Sequence, residues 1–251
     1  MSKLFRSSVL FVMLFVPVAL CGQEPVEWKE ASEFEVKTGG SAGGLAWDGE
    51  SLWVSVQSAN RSDELLKYST KGRLEKRVEI PNGGNLGGGL TYFNGSLHVL
   101  DYSNRIATNN GDQFTGNGAI LVLNGKDKLE QVIKLPADQN NTFGLAHSKN
   151  RLIYGRSPTV APRGTIFVTD IQGNVQSKSE VRFYIRGMTH DGSHLWISST
   201  KNVFRLNDKW EVTATFIPPE PLADLTWDGS SLWGVVENAN KVQQFLIAGE
   251  N

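Results

Sequence analysis

Beyond about residue 33, the chain alternates short apolar runs with polar turns, and within the runs the apolar positions recur with a period of two. Leu52-Trp53-Val54-Ser55-Val56, Leu65-Leu66-Lys67-Tyr68, Ala119-Ile120-Leu121-Val122-Leu123 and Val203-Phe204-Arg205-Leu206 are of strand length and are bounded by Gly, Asn or Asp. Longer, more polar runs at 74–80, 129–135, 175–184 and 210–217 read as further strands. No comparable stretch repeats every 3.6 residues, so the pattern predicts an all-β chain.

The strands recur in a fixed order. Gly44-Leu45-Ala46-Trp47-Asp48-Gly49-Glu50-Ser51-Leu52-Trp53-Val54 returns as Asp224-Leu225-Thr226-Trp227-Asp228-Gly229-Ser230-Ser231-Leu232-Trp233-Gly234. Looser copies begin at Gly89, Gly144 and Gly187, and Leu45, Leu90, Leu145, Met188 and Leu225 occupy one equivalent position. A period of about 40–50 residues built from short strands marks the blades of a β-propeller. The expectation is one five-bladed propeller, four antiparallel strands per blade. In each copy an Asp-Gly or Asn-Gly type turn joins the first two strands by supplying positive φ. The fifth copy has only three strands, ending in Val242 to Ile247. A spare strand, Glu33 to Val36, is expected to complete it and close the ring, since closure removes exposed sheet edges.

The first residues follow another logic. Lys3 and Arg6 precede an apolar run from Val9 to Leu20, too short for a membrane-spanning helix. Residues 1–21 read as a signal peptide and 22–251 as a single propeller domain that is secreted or periplasmic, with no transmembrane segment once the signal is removed. Cys21 is the sole cysteine, and Val18-Ala19-Leu20-Cys21 resembles a lipobox, so lipid anchoring through Cys21 is the alternative. Loss of Cys21 removes disulfide and thiolate chemistry. With 25 basic against 26 acidic residues, nothing attracts a phosphate backbone, and nucleic acid is not an expected partner.

Trp47, Trp53, Trp196, Trp227 and Trp233 recur at two repeat positions, which favours packing between blades over sugar stacking. His147 and His190 fall on first strands near the channel, without the further ligands a metal centre needs. Propeller topology gathers the second-to-third and fourth-to-first connections on one face, around the channel mouth. On that face the repeat breaks. Arg186 and Asp224 stand where other blades have small residues, and the neighbouring loops contribute Asn60, Arg61, Asp101, Tyr102, Arg105, Arg156 and Glu237. This mixture of Arg, carboxylate and amide groups suits a small polar or anionic molecule, a peptide or a protein surface. The long 101–118 loop has enough Asp and Asn to raise calcium. It lacks the Asp-x-Asp-x-Asp-Gly order and the bidentate Glu, so a lid or interaction loop is preferred and no cofactor is expected.

Leu45-Ala46-Trp47-Asp48-Gly49 followed by Leu52-Trp53-Val54 resembles the blades of exported bacterial propellers of the gluconolactonase-like and NHL-like groups. More distantly, five blades in this length resemble the plant-type glutaminyl cyclases, which convert N-terminal glutamine to pyroglutamate. Leu86-Gly87-Gly88-Gly89-Leu90-Thr91 is similar to that family's Gly-Glu-Gly-Leu-Thr, but Gly88 stands where the acid belongs. The gluconolactonase type implies six blades and a channel metal, and streptogramin-lyase-like propellers imply seven blades. The reading favoured is a non-catalytic binding or scaffold propeller acting at the channel mouth. A glutaminyl-cyclase-like acyltransferase, or another hydrolase or lyase at that mouth, is the alternative, and a multivalent lectin is third.

Overall fold

A computed structural model describes residues 27–58, 63–80, 86, 88–101, 118–136, 142–158 and 162–248, with the backbone alone for 105–108 and 111–114. The expected signal segment, with Cys21, lies outside the described residues. Among them there is no helix, and none long and apolar enough to cross a membrane.

The strands form five four-stranded antiparallel sheets around an axis. β1 (Trp28–Glu35) comes first. Blade 1 contains β2 (Ser41–Trp47), β3 (Leu52–Gln57), β4 (Glu64–Tyr68) and β5 (Leu74–Glu79). In blade 2, β6 (Leu90–Phe93) and β7 (Ser96–Asp101) are followed by a small hairpin, β8 (Arg105–Thr108) and β9 (Gly111–Phe114), and then β10 (Ala119–Leu123) and β11 (Leu129–Lys134). Blade 3 holds β12 (Thr142–Ser148), β13 (Arg151–Arg156), β14 (Gly164–Asp170) and β15 (Val175–Val181). Blade 4 has β16 (Gly187–His190), β17 (Leu195–Ser198), β18 (Val203–Leu206) and β19 (Val212–Phe216). β20 (Leu222–Trp227), β21 (Ser231–Val236) and β22 (Lys241–Ile247) make blade 5, whose outer strand is β1. The ring closes as expected, with Phe34 opposite Val242 and Trp28 opposite Ile247.

Burial follows from this geometry. Second strands are covered on both faces by neighbouring blades, and β3, β17 and β21 are apolar and buried almost throughout. Outer strands meet solvent, and β1, β5 and β15 are largely exposed and charged, which blunts them as edges for intermolecular pairing. A bulge between third and fourth strands recurs in blades 1 to 4 and adds twist. The core is accordingly split into five wedges, one between each pair of adjacent blades.

The Asp-Gly turns have a second role. Asp48 Oδ1 accepts from the backbone N–H groups of Glu50 (3.0 Å) and Ser51 (2.8 Å), while Oδ2 accepts the Trp53 indole N–H at 2.8 Å. Asp191 and Asp228 repeat this, holding Trp196 Nε1 at 2.6 Å and Trp233 Nε1 at 2.7 Å. Blades 2 and 3 lack both the Asp and the Trp, because a buried indole needs an acceptor. Burial would raise the Asp48 carboxyl, but Lys67 and the turn donors hold it below the usual range. Trp53, Trp196 and Trp233 are buried between blades, as the packing reading expects.

Two outer strands are shorter than their apolar pattern suggests. β15 stops at Val181, which frees Tyr184 for the mouth, and β19 starts at Val212, because Trp210 turns the chain with φ at 63°. The hairpin β8–β9 was not foreseen inside the 101–118 loop.

Candidate functional site

The first strands start almost in contact around the axis. A Cβ on Gly44 would lie 3.1 Å from Gly89 N, one on Gly89 3.2 Å from the Gly144 carbonyl carbon, and one on Gly144 2.8 Å from Met188 N. One on Gly187 would fall 2.3 Å from Asp224 Cα. Four ring members are therefore glycines because backbone meets backbone. The fifth, Asp224, puts its carboxyl among the others. Oδ2 accepts from Leu45 N at 2.9 Å and, at a long 3.4 Å, from Leu90 N, while Oδ1 accepts from Met188 N at 3.1 Å. One side chain thus ties blades 1, 2 and 4 to blade 5. Asp224 is fully buried, and burial pushes its carboxyl up to about 8 against the backbone donors, which favour the anion.

Outside this ring lies a pocket of about 450 Å³ lined by blades 1, 3, 4 and 5 and by Leu86 on the connection into blade 2. Gly43, Phe143, Arg186 and Ala223 line it, each immediately preceding a ring member, so the ring forms its floor. Leu86, Pro158 and Ile185 make the walls apolar, and Gln57, Thr200 and Asn238 add polar groups. Arg186 Nη1 donates to Glu237 Oε1, joining blades 4 and 5 within the lining, and both side chains remain about one-third exposed (35% and 29%). Other side chains clip neighbouring blades to fix the mouth. Asp63 accepts from Ser58 N (2.8 Å) and Leu86 N (2.9 Å). Ser157 Oγ accepts from Ile185 N at 2.7 Å and donates to Ile185 O at 3.3 Å. Asn240 accepts from Ala42 N at 2.8 Å and donates to Gly40 O at 2.9 Å.

Of the residues singled out in the sequence, Arg186 and Glu237 meet in this pocket. Asp224 lies in its floor, bound to backbone rather than to Arg186. Asp101 is buried at the end of β7, and Arg156 is half-buried at the end of β13, next to the lining residues Ser157 and Pro158. Arg105 lies on β8, where the backbone alone is described, and Asn60, Arg61 and Tyr102 lie outside the described residues. The reading of the sequence missed the apolar lining. Phe143 carried a signal, since it aligns with Gly43, Gly88, Arg186 and Ala223 in the repeat.

His147 and His190 sit low on the first strands. Burial, with His190 and His98 nearby, lowers His147 to about 4, and its Nδ1 lies 2.9 Å from Thr91 Oγ1. Among the described residues no three His, Cys, Asp or Glu side chains converge as a metal site would need. Most of the loop raised for calcium lies outside the described side chains.

These features define a five-bladed propeller with a plugged axis and a pocket at one mouth. No family model matches the chain, and no curated protein matches it by sequence. Among solved structures it is similar to the Myxococcus xanthus glutaminyl cyclase, with 12% identity and a TM-score of 0.65 over 89% of this chain and 98% of that one. A Xanthomonas campestris gluconolactonase aligns at 13% identity and a TM-score of 0.51, over 89% and 95% of the two chains. A streptogramin B lyase aligns at 15% and 0.50, over 88% and 98%. In fold the chain is thus a glutaminyl-cyclase-like and gluconolactonase-like propeller, and at these identities the likeness concerns the fold alone.

Proposed function

We propose that the protein is an exported binding propeller whose mouth pocket captures a small molecule or peptide end with an apolar body and a carboxylate or similar anionic head. The observation that carries this reading is a pocket lined from blades 1, 3, 4 and 5 and the connection into blade 2, apolar in its walls, with one partly exposed Arg–Glu pair. Phe143, Leu86, Pro158 and Ile185 would take the apolar body, and Arg186 the head. A pair this exposed contributes about 0–1 kcal/mol, so a ligand carboxylate can replace Glu237 on Arg186 at little cost. The buried hydroxyl in the wall, Ser157, is committed to the Ile185 backbone and is no nucleophile.

A second reading rests on Glu237 being a carboxylate inside an apolar pocket. It could act as a base while the α-amine of an N-terminal glutamine attacks its own side-chain carboxamide, closing the ring and releasing ammonia.

Calorimetry with 3-phenylpropionate and the dipeptide Gln-Phe tests both. The binding reading expects saturation by 3-phenylpropionate, at least tenfold weaker affinity in Arg186→Ala at near-normal stability, and no ammonia from Gln-Phe. Ammonia release that Glu237→Gln abolishes would favour the second reading, and saturation by neither compound refutes both. Export is checked by the mass of the exported form, expected to begin near Gly22 or Gln23. A diacylglycerol on Cys21 would establish the lipid-anchored form instead.

A further inference from the structure

The turn between third and fourth strands has one recurring left-handed position. Gly72 (φ 74°), Asp127 (φ 57°) and Gly173 (φ 89°) occupy it in blades 1 to 3, each donating its N–H to the carbonyl three residues earlier. Blade 4 places Trp210 there, at φ 63°, with the same hydrogen bond to Asn207 at 2.9 Å. A bulky aromatic side chain in this conformation is strained, and the turn requires no such residue. The surroundings are inverted too. In blades 1 and 3 a large side chain of the preceding blade covers the glycine, Phe34 over Gly72 and Ile133 over Gly173. Ser179 stands at the equivalent register of β15, so the wedge between blades 3 and 4 is not filled from that side.

A cavity of about 530 Å³ occupies this wedge, at the end of the ring opposite the mouth pocket. Its back is apolar, formed by Ile153, Val168 and Leu195, against whose cluster Trp210 packs while half-buried. Its rim carries Lys149 and Arg151, both exposed and, among the described residues, without an ionic partner. Asp208 and Ser193 add carboxylate and hydroxyl groups, while the Asn207 amide is held within its own turn by Glu211 and Lys209. His190 Nδ1 accepts from Gly192 N at 3.0 Å, so as a neutral imidazole it carries its proton on Nε2 and offers a further donor.

We propose that this wedge is a second binding site, which takes an acidic sugar with its ring face on the Trp210 indole and its carboxylate on Arg151 and Lys149. An indole presents a flat face to the C–H side of a pyranose, mixed donors and acceptors suit hydroxyls, and two cations select a sugar carrying a carboxylate. The site is independent of the mouth pocket.

Calorimetry on the whole exported protein, with glucuronate, glucose and inorganic phosphate as probes, tests it. Glucuronate is expected to saturate one site, and Arg151→Gln to weaken it at least fivefold without affecting glucose. Trp210→Gly, which restores the residue of blades 1 and 3, should cost at least tenfold in affinity with the fold retained. Arg151 is exposed, so the Arg151→Gln arm stands even if Trp210→Gly fails to fold. Arg186→Ala should leave glucuronate binding unchanged. The proposal is overturned if glucuronate does not saturate, if phosphate binds equally well and Trp210→Gly leaves both unaltered, or if Arg186→Ala rather than Arg151→Gln removes binding.

Discussion

Replacing Asp224 by glycine restores the repeat and removes the plug. The sequence pattern alone would place this change among the mildest available, since the other four blades have glycine at this position. The structure says the opposite. Two buried donors with good geometry, Leu45 N at 2.9 Å and Met188 N at 3.1 Å, lose their acceptor, and Leu90 N loses a weaker one at 3.4 Å. Each orphaned buried donor costs about 1–3 kcal/mol, so the expected loss is roughly 3–6 kcal/mol. A water molecule entering the vacated space would bring it to the lower end. In a domain of this size that lowers Tm by roughly 6–24 °C. Urea denaturation and thermal melting of wild type, Asp224→Gly and Asp224→Asn measure this directly, and a loss below about 1 kcal/mol for the glycine variant would refute the account. The pH dependence is an independent check. The folded pKa of about 8 lies above the usual 3.8, so Asp224 contributes stability that is fully present below about pH 4 and is lost as pH rises toward 8. His147, His98 and His190 are all depressed below 6.5, so they raise stability as pH climbs through that lower range and mask the trend there. Between pH 6.5 and 8 Asp224 acts alone among these groups. Wild type should lose stability over that interval and Asp224→Asn should not; a flat wild-type profile there means the carboxyl is ionised throughout and the backbone donors outweigh burial.

Removing residues 22–37 deletes β1 and with it Trp28, which packs 5.6 Å from Phe216 and 5.7 Å from Phe245, and Phe34, 5.3 Å from Tyr68. Both aromatics are half-buried and contribute roughly 1–3 kcal/mol each, and the loss also bares the β22 edge, so the truncated chain should be unfolded or aggregated in light scattering, and an unchanged melting curve would rule out ring closure by this strand. Asp228→Ala orphans the indole N–H of Trp233, which is 1% exposed, and should cost about 1–3 kcal/mol. In a double-mutant cycle with Trp233→Phe most of that cost should vanish; additive effects would mean that the Asp matters to the turn alone.

The architecture was legible in the sequence because it is a repeat of local rules. Period-two runs make strands, Asp-Gly turns make hairpins, and the interval between copies counts blades. Even the N-terminal strand could be assigned, because a three-stranded last copy leaves an edge that something must cover. What could not be read was what each odd residue faces. Arg186 and Asp224 are one position apart in the repeat alignment, and both looked like mouth residues. Backbone crowding at the axis makes the Asp224 position fully buried, where a carboxylate finds only N–H groups, while Arg186, aligned one position earlier, opens into the pocket and meets Glu237 from blade 5. Phe143 became a wall of that pocket by the same geometry. Trp210 is the clearest case. In the linear pattern it belongs to a strand, and the third dimension alone shows that its turn needs a left-handed residue and that Ser179 leaves the wedge beside it open. Periodicity is carried by neighbours along the chain, and so it survives in one dimension. A site is made where residues from different blades converge on one axis or one wedge, and that convergence exists only once the ring has closed.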